Sequence, residues 1–315
     1  MVLEDRWLRE TYVDLLIEYA AKNKDIVILE ADLMKAGGTF RFAEKYPERT
    51  FDVGIQEANM IGTAAGMSAM GKIPFTHTFT AFATRRVCDQ VTLSVAYAGL
   101  NVKMMGSDPG VTAEYNGGTH MSMEDVSIMR NIPGMIVYEP VDSAQLKAIF
   151  PQIVDHYGPV YIRLLRRNAV KVFEEGETFE LGKGKLMREG SDVSIFATGI
   201  MVAEAVEAVE ELAKEGIHAE LINIHTVKPL DEEMVLASVA KTGCAVTAEN
   251  HSVIGGLGSA VAELLAEKNP VPVKKVGVMD HFGEVGLTPY LKEKYGLTAK
   301  DIIAAARAAI AMKKR

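Results

Sequence analysis

Cysteine is scarce in this 315-residue sequence: Cys88 and Cys244 are the only two, 156 positions apart, with no close Cys/His cluster beside either. That spacing argues against a structural zinc site, and two lone thiols suit a reducing cytosol better than a stapled extracellular fold. Basic charge is not in excess. The 34 Lys and Arg stand against 42 Asp and Glu, for a net charge of −8, which disfavours a nucleic-acid partner because phosphate-backbone binding needs a basic face. No run of 18 apolar residues occurs, so no membrane span is expected. The start, MVLEDRWLRETY, is charged and lacks an apolar h-region, so no signal peptide is expected and a cytoplasmic location is. What is present, 48% hydrophobic and 24% charged residues over a length that suggests about two domains, is enough for a large core without staples.

Strand and helix patterns alternate along the chain. Trp7, Leu8, Tyr12, Leu15, Leu16 and Tyr19 recur at helical spacing, and IVILE (26–30) reads as a short apolar strand. Helices are expected at 57–70, 83–98, 122–130 and 142–156, and strands at 73–78, 101–106, 135–139 and 160–165. After Val172 the texture changes. FEEGETFELGKGK (173–185) is rich in Glu, Gly and Lys and reads as a linker or extended surface segment. A second alternating series begins with DVSIFATG (192–199), runs through a helix at 201–215 and strands at 219–224 and 244–250, and reaches a helix at 258–268. The expected fold class is α/β with two domains, 1–172 and 186–315, each a mostly parallel sheet flanked by helices.

Five segments carry residues suited to chemistry. FDVGIQEANM (51–60) places Glu57 at a helix start, where the dipole favours an acid; alone, the segment reads first as a stabilising helix-terminal carboxylate. TFTAFATRRVCDQ (78–90) sets Phe79 and Phe82 three apart with Arg85 and Arg86 after them, either as core aromatics and solvated cations or as a wall for a flat heteroaromatic ring. SDPGVTAEYNGGTH (107–120) is a long irregular stretch after a strand, where α/β ligand sites occur, and carries Asp108, Glu114, Asn116 and His120. YIRLLRRN (161–168) puts Arg166 and Arg167 at a strand end, suited to binding an anion or to solvation. NHSVIGGLGSAVAEL (250–264) places Gly255, Gly256 and Gly258 before a helix. A phosphate cradle would use such glycines, but Val261 breaks the G-x-G-x-x-G pattern, and a tight turn is preferred.

These segments, in this order, resemble the C-terminal half of transketolase over the whole chain. The most specific pieces are ADL (31–33), VGIQEANM (53–60), TFTAF followed by RRVCDQ, the loop ending GGTH, GP-x5-LRRN (158–168), AENHSVIGGLGSAVAELLAE and MDHFGEVG (279–286). The resemblance implies a pyrimidine-binding domain followed by the transketolase C-terminal domain, and thiamine diphosphate with Mg²⁺ as cofactors. The family's GDG…N motif for Mg²⁺ and diphosphate is missing. The resemblance therefore implies a split enzyme in which an N-terminal subunit carries that domain and the metal, with a heterotetramer of two plus two and no metal ligand in this chain.

Matched by position, the resemblance gives Glu57 the glutamate at the aminopyrimidine nitrogen, a proton-relay role. Phe79 and Phe82, with Arg86 after them, match the wall around the pyrimidine, and Asp32 lies close to it. His120 matches a histidine facing substrate hydroxyls, and Arg9 and Arg166 match arginines that bind the terminal phosphate of the sugar. Three matched positions depart from the pattern. Asp108 stands for a phosphate-binding histidine, Asn116 for an aspartate that reads a hydroxyl, and Ala36 for a phosphate-binding serine. A carboxylate facing a phosphate dianion is repulsive, so the expected reaction is transfer of a two-carbon ketol unit between a ketose and an aldose with an altered sugar or phosphate preference. Two other readings share the layout: the beta subunit of a 2-oxo-acid dehydrogenase, and a silent structural subunit. The first predicts decarboxylation of a 2-oxo acid. The second would leave no use for Glu57.

Overall fold

The computed structural model describes residues 2–313. Its strands, in chain order, are β1 (Leu3–Trp7), β2 (Ile26–Glu30), β3 (Thr50–Asp52), β4 (Ile73–Phe79), β5 (Lys103–Ser107), β6 (Ile136–Tyr138), β7 (Val160–Leu164), β8 (Asn168–Val170), β9 (Lys185–Arg188), β10 (Val193–Ala197), β11 (Ala219–Asn223), β12 (Thr226–Lys228), β13 (Ala245–Ser252) and β14 (Val273–Val278). A seven-stranded sheet runs β12-β6-β7-β5-β4-β2-β3, and a five-stranded sheet runs β14-β13-β10-β11-β9. All pairs are parallel except the two edge strands β12 and β9. β1 and β8 form a separate antiparallel pair.

The parallel strands are short and buried along their length: every residue of β2, β5, β7, β10 and β11 is buried. Helices cover both faces, as crossover connections require, so these strands read as apolar runs rather than alternating ones. β12 comes from beyond the linker yet closes the edge of the first sheet, with Thr226 opposite Tyr138 and Lys228 opposite Val137. The core is shared in the same way, since Val27, Met60 and Tyr161 belong to one cluster with Phe196, Ile222, Val227 and Leu257. The linker is pinned rather than loose: Phe173 is buried and its ring meets that of Phe179 edge-on at 4.8 Å.

The helix expected over 83–98 is broken instead into a turn at Thr80–Ala83, a 3-10 turn at Arg85–Val87, a short helix at Cys88–Gln90 and a π-helical stretch at Val91–Tyr97. Thr84 leaves the helical region at φ −125°, ψ −79°, and its hydroxyl donates to the Thr80 carbonyl at 2.7 Å. Thr92 does the same to Cys88 at 2.7 Å. Such back-bonding competes with the regular helical ladder. The break turns Arg86 back towards Phe82.

At the Gly255–Gly258 turn the helix Leu257–Lys268 already has its anion. Glu249 accepts from the amides of Leu257 at 2.7 Å and Gly258 at 2.8 Å, and a Cβ at Gly256 would collide with that carboxylate. The tight-turn reading holds, and this helix end is closed to phosphate.

The two domains are joined through a fully buried cation. Arg163 on β7 donates through Nε to Asp125 at 2.7 Å, through Nη1 to Glu139 at 2.6 Å and through Nη2 to the Asn250 carbonyl at 2.7 Å. Tyr161 donates to Asp125 at 2.7 Å, and Thr198 from the second domain donates to Glu139 at 3.2 Å. Burial pushes the Asp125 carboxyl up, but the Arg163 charge and hydrogen bonds outweigh it and hold it below the usual carboxylate range. Burial prevails at Glu139, which is raised.

Candidate functional site

The site residues sit at the carboxyl ends of β2, β4, β5 and β7, where an open parallel sheet offers its crevice. β4 ends on Phe79, and Phe82 follows on the next turn. The two ring centroids are 6.2 Å apart, and the His120 ring stands edge-on to both, at 6.0 Å from Phe79 and 5.1 Å from Phe82. Three residues separated by as many as 41 positions thus form one aromatic corner.

Glu57 starts the helix Glu57–Ala69 and is 3% exposed. Arg86 donates to its Oε1 at 2.5 Å while its guanidinium lies 3.8 Å over the Phe82 ring. The carboxylate, the cation and the ring wall are therefore one unit. Asp32 follows β2 in the left-handed region at φ +59°, exposed, with its amide donating to Asp52 at 3.0 Å. Asn116 is half-buried at the end of the 3-10 turn Gly110–Asn116.

The second group of residues is charged. Arg166 places a terminal nitrogen 2.8 Å from Asp108 Oδ2, and its guanidinium lies 5.6 Å from the Phe79 ring centre. Arg9 stacks over Trp7 at 4.2 Å and donates to the Ala36 carbonyl. Its pKa is lowered, first by burial and then by the neighbouring Arg166 charge. Asp108 is 1% exposed, at φ +57°. Among the described residues, Nε of Arg9, Nε of Arg166 and both carboxylate oxygens of Asp108 are buried without a well-formed hydrogen bond. Arg167 pairs with Glu114 at 2.7 Å.

Burial pushes the Asp108 carboxyl up to about 6, against the weaker pull of Arg166, Arg167 and His77. An unfolded aspartate titrates near ~3.9. A carboxyl raised on folding gives stability that is present below the unfolded value and lost as pH rises through the folded one. Asp108→Asn, which mimics the protonated acid, is thus expected to stabilise the chain at pH 8 by about 3 kcal/mol and to change little at pH 4. Urea denaturation at the two pH values checks this; a loss of stability at pH 8 would mean that the ion pair with Arg166 outweighs burial.

Three supporting groups stand behind these residues. Glu30, fully buried at the end of β2, accepts from Thr39 and lies 2.9 Å from Nδ1 of His77, whose Nε2 is 3.1 Å from the Ser107 hydroxyl. This chain crosses β2, β4 and β5 just behind Asp108. Gly37 packs so tightly on it that a Cβ would meet the His77 ring at 2.2 Å. Glu114, at φ +48°, accepts from the Thr288 amide and hydroxyl at 3.0 and 2.7 Å. Asn250 accepts from Val111 at 3.0 Å and donates to the Pro109 carbonyl at 2.9 Å. The second domain therefore holds the 107–120 loop in place from outside.

Residues 6–171 match the transketolase pyrimidine binding domain and residues 182–302 the transketolase C-terminal domain. The chain belongs to the transketolase family. It is 72% identical over 304 residues to a 6-deoxy-6-sulfo-D-fructose transketolase subunit of Clostridium sp. (strain MSTE9), covering 96% of this chain and 94% of the relative. It is 41% identical over 298 residues to a putative transketolase C-terminal section of Methanocaldococcus jannaschii, covering 94% and 93%. A solved structure described as a split gene transketolase, inactive beta4 tetramer, superposes with a TM-score of 0.89 at 46% identity, covering 98% of this chain and 99% of that one. In extent and fold the chain corresponds to the C-terminal subunit of a split, two-chain transketolase. Among the described residues, no helix is long and apolar enough to cross a membrane, and no group of three or more His, Cys, Asp or Glu could hold a metal ion.

Proposed function

We propose that this chain forms the pyrimidine half of a thiamine diphosphate site shared with an N-terminal subunit, in a heterotetramer of two plus two. The assembled enzyme transfers a two-carbon ketol unit from a ketose to an aldose. The donor is a ketose ending in a sulfonate, of the 6-deoxy-6-sulfo-D-fructose type that the 72%-identical relative is named for. The observation that carries this reading is the buried Glu57 carboxylate beside the Phe79–Phe82–His120 corner, with the Arg9–Arg166 pair beyond it.

The residues present fit one half of the cofactor. A flat ring seats against Phe79 and Phe82, with Glu57 at its edge to hold and return a proton and Arg86 bridging Glu57 to Phe82; Asp32 is assigned to the same place by its matched position in the family. The glycine-rich helix end at Gly255–Gly258 is filled by Glu249, so the diphosphate and its Mg²⁺ fall to the partner subunit. When bound, thiamine diphosphate supplies the carbon that takes up the ketose carbonyl and tolerates the negative charge left as the sugar's C2–C3 bond breaks. His120 donates to, or accepts from, a sugar hydroxyl over the corner. Asn116, matched to the family's hydroxyl-reading aspartate, is assigned to the sugar as a neutral donor and acceptor. Arg9 and Arg166 bind the far, anionic end of the sugar through charge-assisted hydrogen bonds. That contact fixes how deeply the carbonyl enters.

Calorimetric titration of thiamine diphosphate with Mg²⁺ into this chain alone, and into it mixed with its N-terminal partner, tests the shared site. Binding is expected only in the mixture. Tight binding by this chain alone would overturn the division of labour. No binding by a mixture shown to associate would favour a silent subunit. Turnover of pyruvate in place of a ketose would favour the 2-oxo-acid dehydrogenase reading.

A further inference from the structure

The charges around Asp108 do not balance, and the imbalance selects a ligand. Arg9, Arg166 and Arg167 converge there, each contributing to the electrostatics of Arg9 or Asp108. They face the carboxylates of Asp108 and Glu114. Glu10, which also reaches Arg9, is paired with Arg6 at 3.8 Å, so within the inner cluster three guanidiniums against two carboxylates leave one uncompensated positive charge. His77, behind Asp108, is engaged by Glu30 and Ser107. The unsatisfied Nε atoms of Arg9 and Arg166 are buried donors aimed where no protein acceptor meets them. A buried site that lacks one negative charge and offers free donors is completed by a monoanion. A sulfonate carries one charge at every physiological pH. A phosphate monoester carries about −1.5 to −2 at pH 7, with its second pKa near ~6.

Building on the sulfonate-donor reading above, we propose that Asp108 is the specificity-determining residue of the anion subsite: by offsetting one of its guanidinium charges, it tunes the subsite to a singly charged sulfonate end and against a phosphate dianion. An ionised carboxylate has no proton to give an anionic oxygen. Its contribution is its charge, held within reach of Arg166.

The test uses the enzyme assembled with its N-terminal subunit and three donors: 6-deoxy-6-sulfo-D-fructose, fructose 6-phosphate and fructose. Asp108→Asn is expected to shift the ratio of kcat/KM for phosphate over sulfonate by about tenfold or more towards phosphate. The change should lie in KM for the phosphorylated ketose. A loss shared equally by all three donors would show a merely structural role, and an unchanged ratio would overturn the proposal. If the wild type transfers ketol from none of the three, the sulfonate-donor reading fails first, and the failure is distinguishable from that of Asp108.

A second arm needs no variant. In the wild type the phosphate-over-sulfonate ratio is expected to rise as pH falls from 8 to 5.5, because phosphate becomes a monoanion and Asp108 itself takes up a proton. The guanidiniums, including Arg167 at 2.7 Å from Glu114, do not titrate in this range. A ratio that falls or stays level with pH would mean that the subsite prefers the dianion or ignores charge.

Discussion

Glu57→Gln is expected to lower ketol transfer by the assembled enzyme roughly 10²–10⁴-fold, the span that a positioned proton-transfer group contributes. Gln keeps the shape of the side chain and an oxygen for Arg86 to bind at the same place. Folding, assembly with the partner and the aromatic corner should therefore survive. What is lost is the carboxyl at the start of the helix Glu57–Ala69, the group proposed to hold and release a proton against a ring nitrogen. The measurement is kcat for the sulfonate donor at saturating thiamine diphosphate, with the cofactor Kd determined alongside. A fall in kcat with assembly intact supports the relay. Full activity in the variant would remove Glu57 from the chemistry. The same experiment separates a working subunit from a silent one, because a silent subunit has no activity to lose.

Arg163→Met is expected to be the most destabilising single change described, by about 3–5 kcal/mol at pH 7, because it strands Asp125 and Glu139 in the core without their cation. Arg163 is fully buried, and its loss would also free the Asn250 carbonyl and loosen the seam between domains. The pH dependence follows from the shifts. Asp125 has its pKa lowered in the folded chain, so its contribution is present above the unfolded value and lost as pH falls through the folded one. Glu139 is raised by burial, so its contribution runs the other way and is lost as pH rises. Without Arg163 both acids can relieve the core only by taking up protons. The penalty should therefore shrink towards pH 4. Urea denaturation at pH 7 and pH 4 reads this directly. A penalty below about 1 kcal/mol at pH 7 would mean that water enters and solvates the pair.

The strand and helix alternation was legible because buried parallel strands are short apolar runs and the helices between them keep their periodicity. The aromatic corner was half legible. Phe79 and Phe82 are neighbours in sequence, but only the fold carries His120 to them. The helix over 83–98 misled, since its apolar spacing gave no sign of two threonines bonding back to the carbonyls behind them. Arg163 is a charge inside an apolar strand, but its partners lie 24 to 87 positions away and no local pattern points to them. Glu30 and His77 went unmarked, although Glu30 is the one charge in the apolar run IVILE and His77 a polar residue on the strand paired with it. Residues of that kind, set inside strands that are otherwise apolar, were the available clue. The linker had the composition of a loose segment, yet a buried phenylalanine and backbone hydrogen bonds to Asp142, Gln152 and Asp231 fasten it.

The placement of β12 orders events during synthesis. β6 has β7 on one side, and on the other only β12, whose Thr226 follows Tyr138 by 88 positions. While the ribosome is still making those positions, the growing first sheet has one flank of free amides and carbonyls, the kind of flank that recruits a strand from any chain within reach. The first half of the protein therefore cannot finish folding before part of the second half exists. A nascent chain paused between residues 139 and 225 holds its first sheet open at β6.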